Sequence, residues 1–322
     1  MLNAGVLGAG HLGKIHLKLL NQSTKYNLVG FYDADRAASR KIEEEFGYKS
    51  FQTMEALIDA CDVVDVVTPT IHHFFCAEKV VTAGKHLFIE KPITHTVEEA
   101  EKLLQLAEKH NVKGQVGHVE RFNPAFMGVK DMMENPMFIE AHRLAEFNPR
   151  GTDVSVVLDL MIHDIDAILS VVQSKVKNVY ASGVSVISET PDIANARIEF
   201  ENGCVANLTA SRISMKKMRK ARFFQRDAYI SVDFLEKKVE VVKMKDAPKD
   251  PDDFAMILTN AEGIKKQIYF DNPDIHANNA ILDELESFAD AINNNTTPVV
   301  SLAQGTQALT VAMQVIENFK ML

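Results

Sequence analysis

The chain has 322 residues, room for two hydrophobic cores, and its 46% hydrophobic and 25% charged residues are an ordinary globular balance. A formal net charge of −9 argues against general nucleic-acid binding, which needs a broad cationic face. No stretch approaches 18 uncharged apolar residues, and no basic region precedes an apolar core at the start, so the expectation is a soluble, cytoplasmic protein with no membrane partner.

In chain order, "NAGVLG" (3–8) reads as a short buried strand. "GHLGKIHLKLL" (10–20) reads as a helix, with Leu12, Ile15, Leu19 and Leu20 at helical spacing. "NLVGFYD" (27–33) is the next strand. Helix "RAASRKIEEEF" (36–46) starts after Asp35, a good N-cap, and stops at Gly47. A helix near 54–60, strand "VVDVVTPT" (63–70) and helix "CAEKVVTA" (76–83), ended by Gly84, come next. In "HLFIEKP" (86–92) the apolar run Leu87, Phe88, Ile89 meets Glu90, Lys91 and Pro92, so a buried strand ends in a carboxylate and an ammonium. Thr96 and Glu99 form a capping box for a helix carrying Val97, Ala100, Leu103, Leu104 and Ala107. Regular alternation of strand and helix predicts right-handed crossovers and a parallel sheet.

Past residue 120 the texture changes. "VYASGVSVI" (179–187), "ANARIEFENGCVANLTASR" (194–212) and "AYISVDFLEKKVEVVKM" (228–244) are strand-like, with "ENG" as a hairpin turn. The fold class is therefore α/β: an N-terminal domain, 1–120, built on a parallel sheet, and an α+β domain, 121–322, with a mostly antiparallel sheet. "MKDAPKDPDD" (244–253) reads as a mobile loop. Two helical stripes close the chain: Ile281, Leu285, Phe288, Ile292, and then Leu309, Ala312, Val315, Phe319. Cys61, Cys76 and Cys204 lack CxxC spacing and read as buried or free thiols in a reducing compartment, and no His/Cys set has the spacing of a metal site.

"GAGHLG" puts Gly8, Gly10 and Gly13 in GxGxxG spacing between a strand and a helix. Gly8 serves the tight turn, Gly10 lets backbone approach a pyrophosphate, and Gly13 lets helix and strand pack closely. Asp33 ends the next strand twenty residues beyond Gly13, where a carboxylate accepts from a ribose 2′-hydroxyl and repels a 2′-phosphate. NAD is favoured, with NADP left open by Arg36 nearby. On a helix at about 100° per residue, Asp159, His163 and Asp166 of "DLMIHDID" fall within about 60° of one another. Leu158, Met161, Ile165, Ile168, Leu169 and Val172 form another face. A helix-surface Asp–His pair remains the bland alternative.

The glycine motif, "TPTIHH" (68–73), "GKHLFIEKP" (84–92), "GHVERFNPAF" (117–126) and "DLMIHDID" (159–166), in this order, resemble the Gfo/Idh/MocA oxidoreductases over essentially the whole chain. The resemblance implies a Rossmann domain and a second domain whose open sheet forms an oligomer interface, hence a homodimer or homotetramer. It implies a cofactor set of Gly8, Gly10, His11, Leu12, Gly13, Asp33, Thr68, Pro69, His72, Glu90 and Lys91. Lys91 would also meet substrate, with Asp159 and His163 matching the substrate-binding aspartate and catalytic histidine. Glu120, Arg121 and Asn123 are substrate-binding candidates, although hydrogen bonding at the domain junction explains them equally well; His118 is similarly ambiguous. The implied reaction moves a hydride between nicotinamide C4 and a carbinol carbon. His163 takes the hydroxyl proton, Lys91 steadies the alkoxide and Asp159 binds a neighbouring hydroxyl.

Arg212, Lys216, Lys217, Arg219, Lys220, Arg222 and Arg226 crowd "SRISMKKMRKARFFQR", a solvated face or a diphosphate site. This region, with "VVLDLMIHDID" and "GHVERFNP", resembles family members that oxidise UDP-N-acetylhexosamines, which implies a 3-keto product, more than it resembles inositol dehydrogenases. A free sugar or cyclitol dehydrogenase and a non-catalytic dinucleotide sensor are the alternatives.

Overall fold

The computed structural model describes residues 1–148, 154–249 and 255–321. The chain divides into two compact units, 1–122 with 278–310, and 123–277 with 311–322.

In the first unit β1 (Leu2–Leu7), α1 (His11–Gln22), β2 (Tyr26–Tyr32), α2 (Arg36–Phe46), α3 (Met54–Asp59), β3 (Val63–Val66), α4 (His73–Thr82), β4 (His86–Glu90), α5 (Val97–Lys109) and β5 (Gly114–Gly117) alternate as the sequence leads one to expect. The strands are parallel, in the order β2-β1-β3-β4-β5. A parallel bridge between Phe31 and Ser50 extends the sheet past β2. The order reverses at β1, so β1 and β3 open a crevice at their carboxyl ends, where doubly wound sheets take ligands. Local signals do the punctuating. The Asp35 side chain accepts from the Ala37 and Ala38 N–H groups, Gly47 turns left-handed at φ 72°, and Thr96 and Glu99 make both halves of a capping box.

The second unit carries α6 (Pro124–Met127), β6 (Phe138–Leu144), a π-helical turn Val157–Met161, and α7 (Ile162–Val171). It continues with β7 (Val176–Val184), β8 (Ile193–Phe200), β9 (Val205–Ser211), β10 (Met218–Phe224), β11 (Ala228–Asp233), β12 (Lys238–Asp246), β13 (Met256–Thr259) and β14 (Lys265–Asp271). α8 (Ala280–Asn293) belongs to the first unit, the boundary after residue 310 falls inside α9 (Leu302–Glu317), and β15 (Phe319–Met321) adds the last strand of the second unit. Among the described residues the sheet runs β13-β14-β12-β11-β10-β6-β9-β8-β7-β15, antiparallel except where β6 meets β9 and β7 meets β15. The turn at Gly203, φ 88°, closes the β8–β9 hairpin.

Three differences from the sequence reading have physical causes. Residues 278–310 return to the first unit because α8 supplies core: Leu285, Phe288 and Ala289 are buried with Val6, Leu17, Phe31 and Phe88, and the Tyr26 hydroxyl donates to Leu285 O at 2.6 Å. Met244, Lys245 and Asp246 extend β12 instead of opening a loop, since they pair with Ile268, Gln267 and Lys266 of a strand the sequence reading lacks; 250–253 lie outside the described residues. The "DLMIHDID" segment begins as a π turn, so the assumed 100° step does not hold between Asp159 and Met161. No helix among the described residues is long and apolar enough to cross a membrane.

Candidate functional site

In the first unit, Gly8, Asp33, Thr68, Pro69 and His72 line one cavity of about 260 Å³ at the carboxyl ends of β1 and β3, with Tyr32, Met54 and Phe75 as apolar walls. Gly8 needs its glycine: φ is 95°, and a Cβ would come 2.8 Å from the Val67 carbonyl. Gly13 needs its own, since a Cβ there would lie 2.0 Å from Gly8 O. Gly10, by contrast, has nothing within 4 Å of where a Cβ would stand. No side chain caps α1 at Gly10, which leaves the N–H groups of the first turn, from His11, Leu12 and Gly13, for an anion. These features fit the diphosphate of a dinucleotide. Gly13→Ala is expected to push α1 off β1, lowering stability by about 1–3 kcal/mol and weakening dinucleotide binding; calorimetry and thermal unfolding of the variant check both.

The Asp33 carboxylate accepts from Ala9 N–H at 2.7 Å and Asp35 N–H at 2.8 Å, which fixes it at the cavity wall. Arg36, the side chain that left NADP open, donates to Phe51 O at 2.7 Å.

Glu90 and Lys91 follow at the end of β4, and both are half-buried. Behind them lies a charge cluster that sequence reasoning missed. His16 Nδ1 is 2.7 Å from Asp65 Oδ2, and Nε2 is 3.4 Å from Glu90 Oε1, long for a hydrogen bond but within ion-pair range. Glu90 Oε2 accepts from the Lys91 backbone N–H at 3.2 Å. Burial alone would push the His16 imidazole down, but the Asp65 and Glu90 carboxylates outweigh it and hold it well above the ordinary histidine value. Burial also works to raise Glu90, yet His16 and Lys91 bring it below the usual carboxylate value. Burial also lifts the Asp65 carboxyl, against the pull of the neighbouring His16. Next to it, the ring of His73 spans Thr68 O and Pro92 O, each at 2.8 Å, tying the loops after β3 and β4 together.

Glu120 is buried and Arg121 half-buried in a 3-10 turn, Val119–Phe122. The Asn123 amide Oδ1 caps α6 by accepting from Ala125 N–H at 3.1 Å, and Nδ2 donates to Phe234 O at 3.0 Å. Those bonds give Asn123 a structural role between α6 and the turn after β11.

In the second unit Asp159 is exposed in the π turn and His163 is half-buried in the first turn of α7. Asp164 and Asp166 are buried at 3% and 1%. Arg143 of β6 grips Asp164 with two bonds, Nε to Oδ2 at 3.0 Å and Nη2 to Oδ1 at 2.8 Å. The basic run divides. Arg212 is buried and donates to Val154 O, Lys220 pairs with Asp233 at 3.0 Å, and Arg222 lies 3.6 Å from Glu140. Lys216, Lys217, Arg219 and Arg226 are exposed. Among the described residues no group of His, Cys, Asp and Glu has the makings of a metal site.

Residues 2–118 match the family described as "Oxidoreductase family, NAD-binding Rossmann fold", and residues 112–231 match the GFO/IDH/MocA C-terminal domain. The chain is 32% identical, over 98% of its length and 96% of the relative's, to UDP-N-acetylglucosamine 3-dehydrogenase of Acidithiobacillus ferrooxidans. It is 25% identical, over 99% and 94%, to scyllo-inositol 2-dehydrogenase (NAD(+)) of Bacillus subtilis. A solved structure of the Acidithiobacillus enzyme superposes with a TM-score of 0.89 at 31% identity, covering 99% of this chain and 97% of that one.

Proposed function

The chain belongs to the Gfo/Idh/MocA oxidoreductase family, and on that premise we propose that it oxidises the 3-hydroxyl of a UDP-N-acetylhexosamine, with NAD as acceptor. The observation that carries the substrate is the end-to-end likeness to UDP-N-acetylglucosamine 3-dehydrogenase, 32% identical over 98% of the chain. The full-length match to the B. subtilis scyllo-inositol dehydrogenase is weaker, at 25% identity. That match favours a free cyclitol as the second reading.

NAD, when bound, supplies the hydride acceptor. Gly8, Gly10 and the first turn of α1 hold its diphosphate, and Asp33 takes the ribose hydroxyls. Lys91 donates to the substrate oxygen as negative charge develops there, and His163 takes its proton. Asp159 binds the adjacent hydroxyl, while Glu120 and Arg121 support the sugar side. The active species is a cytoplasmic homodimer or homotetramer joined through the open sheet of the second unit, where Phe270 is 66% exposed.

An absorbance assay at the NADH band, run with NAD and NADP against UDP-N-acetylglucosamine, related UDP-sugars, free hexoses and inositols, tests the reading. NADH formation with a UDP-sugar is expected, and exchanging Lys216, Lys217 and Arg219 for glutamine should raise its KM but not that of a neutral sugar. Turnover of inositol alone would overturn the substrate and leave the dehydrogenase.

A further inference from the structure

A buried charge cluster lies directly behind Lys91, and hydride transfer as proposed above does not use it. His16 of α1 is 0% exposed, Asp65 of β3 3% and the Glu90 side chain 12%. They belong to three neighbouring elements and meet only in the fold. Asp65 Oδ2 stands 2.7 Å from one ring nitrogen of His16, and Glu90 Oε1 stands 3.4 Å from the other. The second oxygen of Glu90 accepts from the Lys91 backbone N–H at 3.2 Å. β5 leaves the slot for that carboxylate: a Cβ on Gly117 would come 2.7 Å from Glu90 Oε1.

The other charged or titratable groups facing the cluster are few. Tyr26 of β2 feels Asp65 but gives its hydroxyl to Leu285 O. His73 of α4 feels Glu90 but turns its ring to Thr68 O and Pro92 O. Lys91 adds its positive charge beside Glu90.

Burying three ionisable groups costs desolvation that apolar side chains would avoid. Two carboxylates around one imidazolium leave a single negative charge, and in a poorly polarisable interior that charge acts on the nearest cation. We propose that Asp65 and His16 are positioning residues for the dehydrogenase: Asp65 holds His16 as an imidazolium, His16 holds the Glu90 carboxylate ionised against the Lys91 backbone, and Glu90 fixes the Lys91 ammonium and its charge. The role of Lys91 in this assignment rests on the function proposed above. Removing His16 strands Glu90 in its slot, where burial favours the neutral acid, and the negative charge of Glu90 beside Lys91 is lost.

The test compares wild type, His16→Gln, Asp65→Asn and Glu90→Gln. The first arm needs no sugar: the NMR signals of the Lys91 side chain, assigned by their loss in Lys91→Met, are followed with pH. Lys91 should lose its proton at lower pH in His16→Gln and Glu90→Gln than in wild type, and Asp65→Asn should fall between. The second arm is the pH profile of kcat/KM, whose alkaline limb should move the same way, with kcat lowered about 10- to 100-fold and the KM for NAD little changed. The double variant of His16→Gln and Glu90→Gln should be no worse than Glu90→Gln alone. A Lys91 titration identical in all folded variants, or losses of melting temperature with an unmoved alkaline limb, would make the cluster purely structural and overturn the proposal. Absence of turnover on every sugar would count against the dehydrogenase, while the NMR arm still decides the cluster.

Discussion

Replacing Lys91 with methionine is expected to cut kcat by about 10²–10³ and to weaken NAD binding, read by calorimetry, far less. Methionine keeps the length and apolar stem of a half-buried side chain and removes only the ammonium. The loss therefore reports charge stabilisation where the hydroxyl becomes an alkoxide. His163→Asn should cost about 10²–10⁴ and erase the acid limb of the pH–rate profile, because no base is left to be titrated. If both groups act on one proton and one oxygen, the double variant will lose much less than the product of the single losses. Unchanged kcat in both single variants, with the substrate that the wild type turns over, would remove Lys91 and His163 from the chemistry.

Local signals made the first unit legible. Gly8 and Gly13 show in sequence because spacing alone places them between a strand and a helix, and the structure gives each a carbonyl that leaves no room for a side chain. Asp35, Thr96 and Glu99 were readable for the same reason, since a cap acts within four residues. Asp65 left a faint mark, a lone carboxylate inside "VVDVV". Its partner His16 lies 49 residues away on a helix face that reads as ordinary amphipathic surface. Only the parallel pairing of β3 with β1, the strand that leads into α1, brings them together, and no local pattern encodes that.

The second unit misled where charge masked periodicity. "MRKARFF" was read as part of a basic run, yet it alternates: Ala221 and Phe223 are buried, and Lys220, Arg222 and Phe224 face the other way. That period of two is the mark of a strand, and β10 pairs along its length with β6 and β11. The π turn at Val157–Met161 gives no comparable sign, because one extra residue per turn leaves the apolar spacing nearly helical. α8 shows its apolar stripe plainly; which core it fills depends on Phe88 and Leu17, more than 180 residues earlier.

Asp164→Leu is expected to destabilise the protein by about 3–5 kcal/mol, seen as a lowered denaturant midpoint for the second unit. Both carboxylate oxygens accept from Arg143, at 3.0 and 2.8 Å, and both residues are 3% exposed, so the substitution removes the Asp164 charge from beside a buried guanidinium. The Phe234 ring, 5.9 Å from that guanidinium, offers it only a weak substitute. Arg143→Met combined with Asp164→Leu should recover most of the loss, since an apolar pair of similar volume avoids the desolvation that the ion pair must offset. The coupling energy from that cycle measures the pair itself. The bidentate grip also sets the rotation of α7 one residue after His163, so the rescued double variant separates stability from alignment. With stability restored and kcat still low, the ion pair is kept for where it aims the histidine; with both restored, it is a replaceable part of the core.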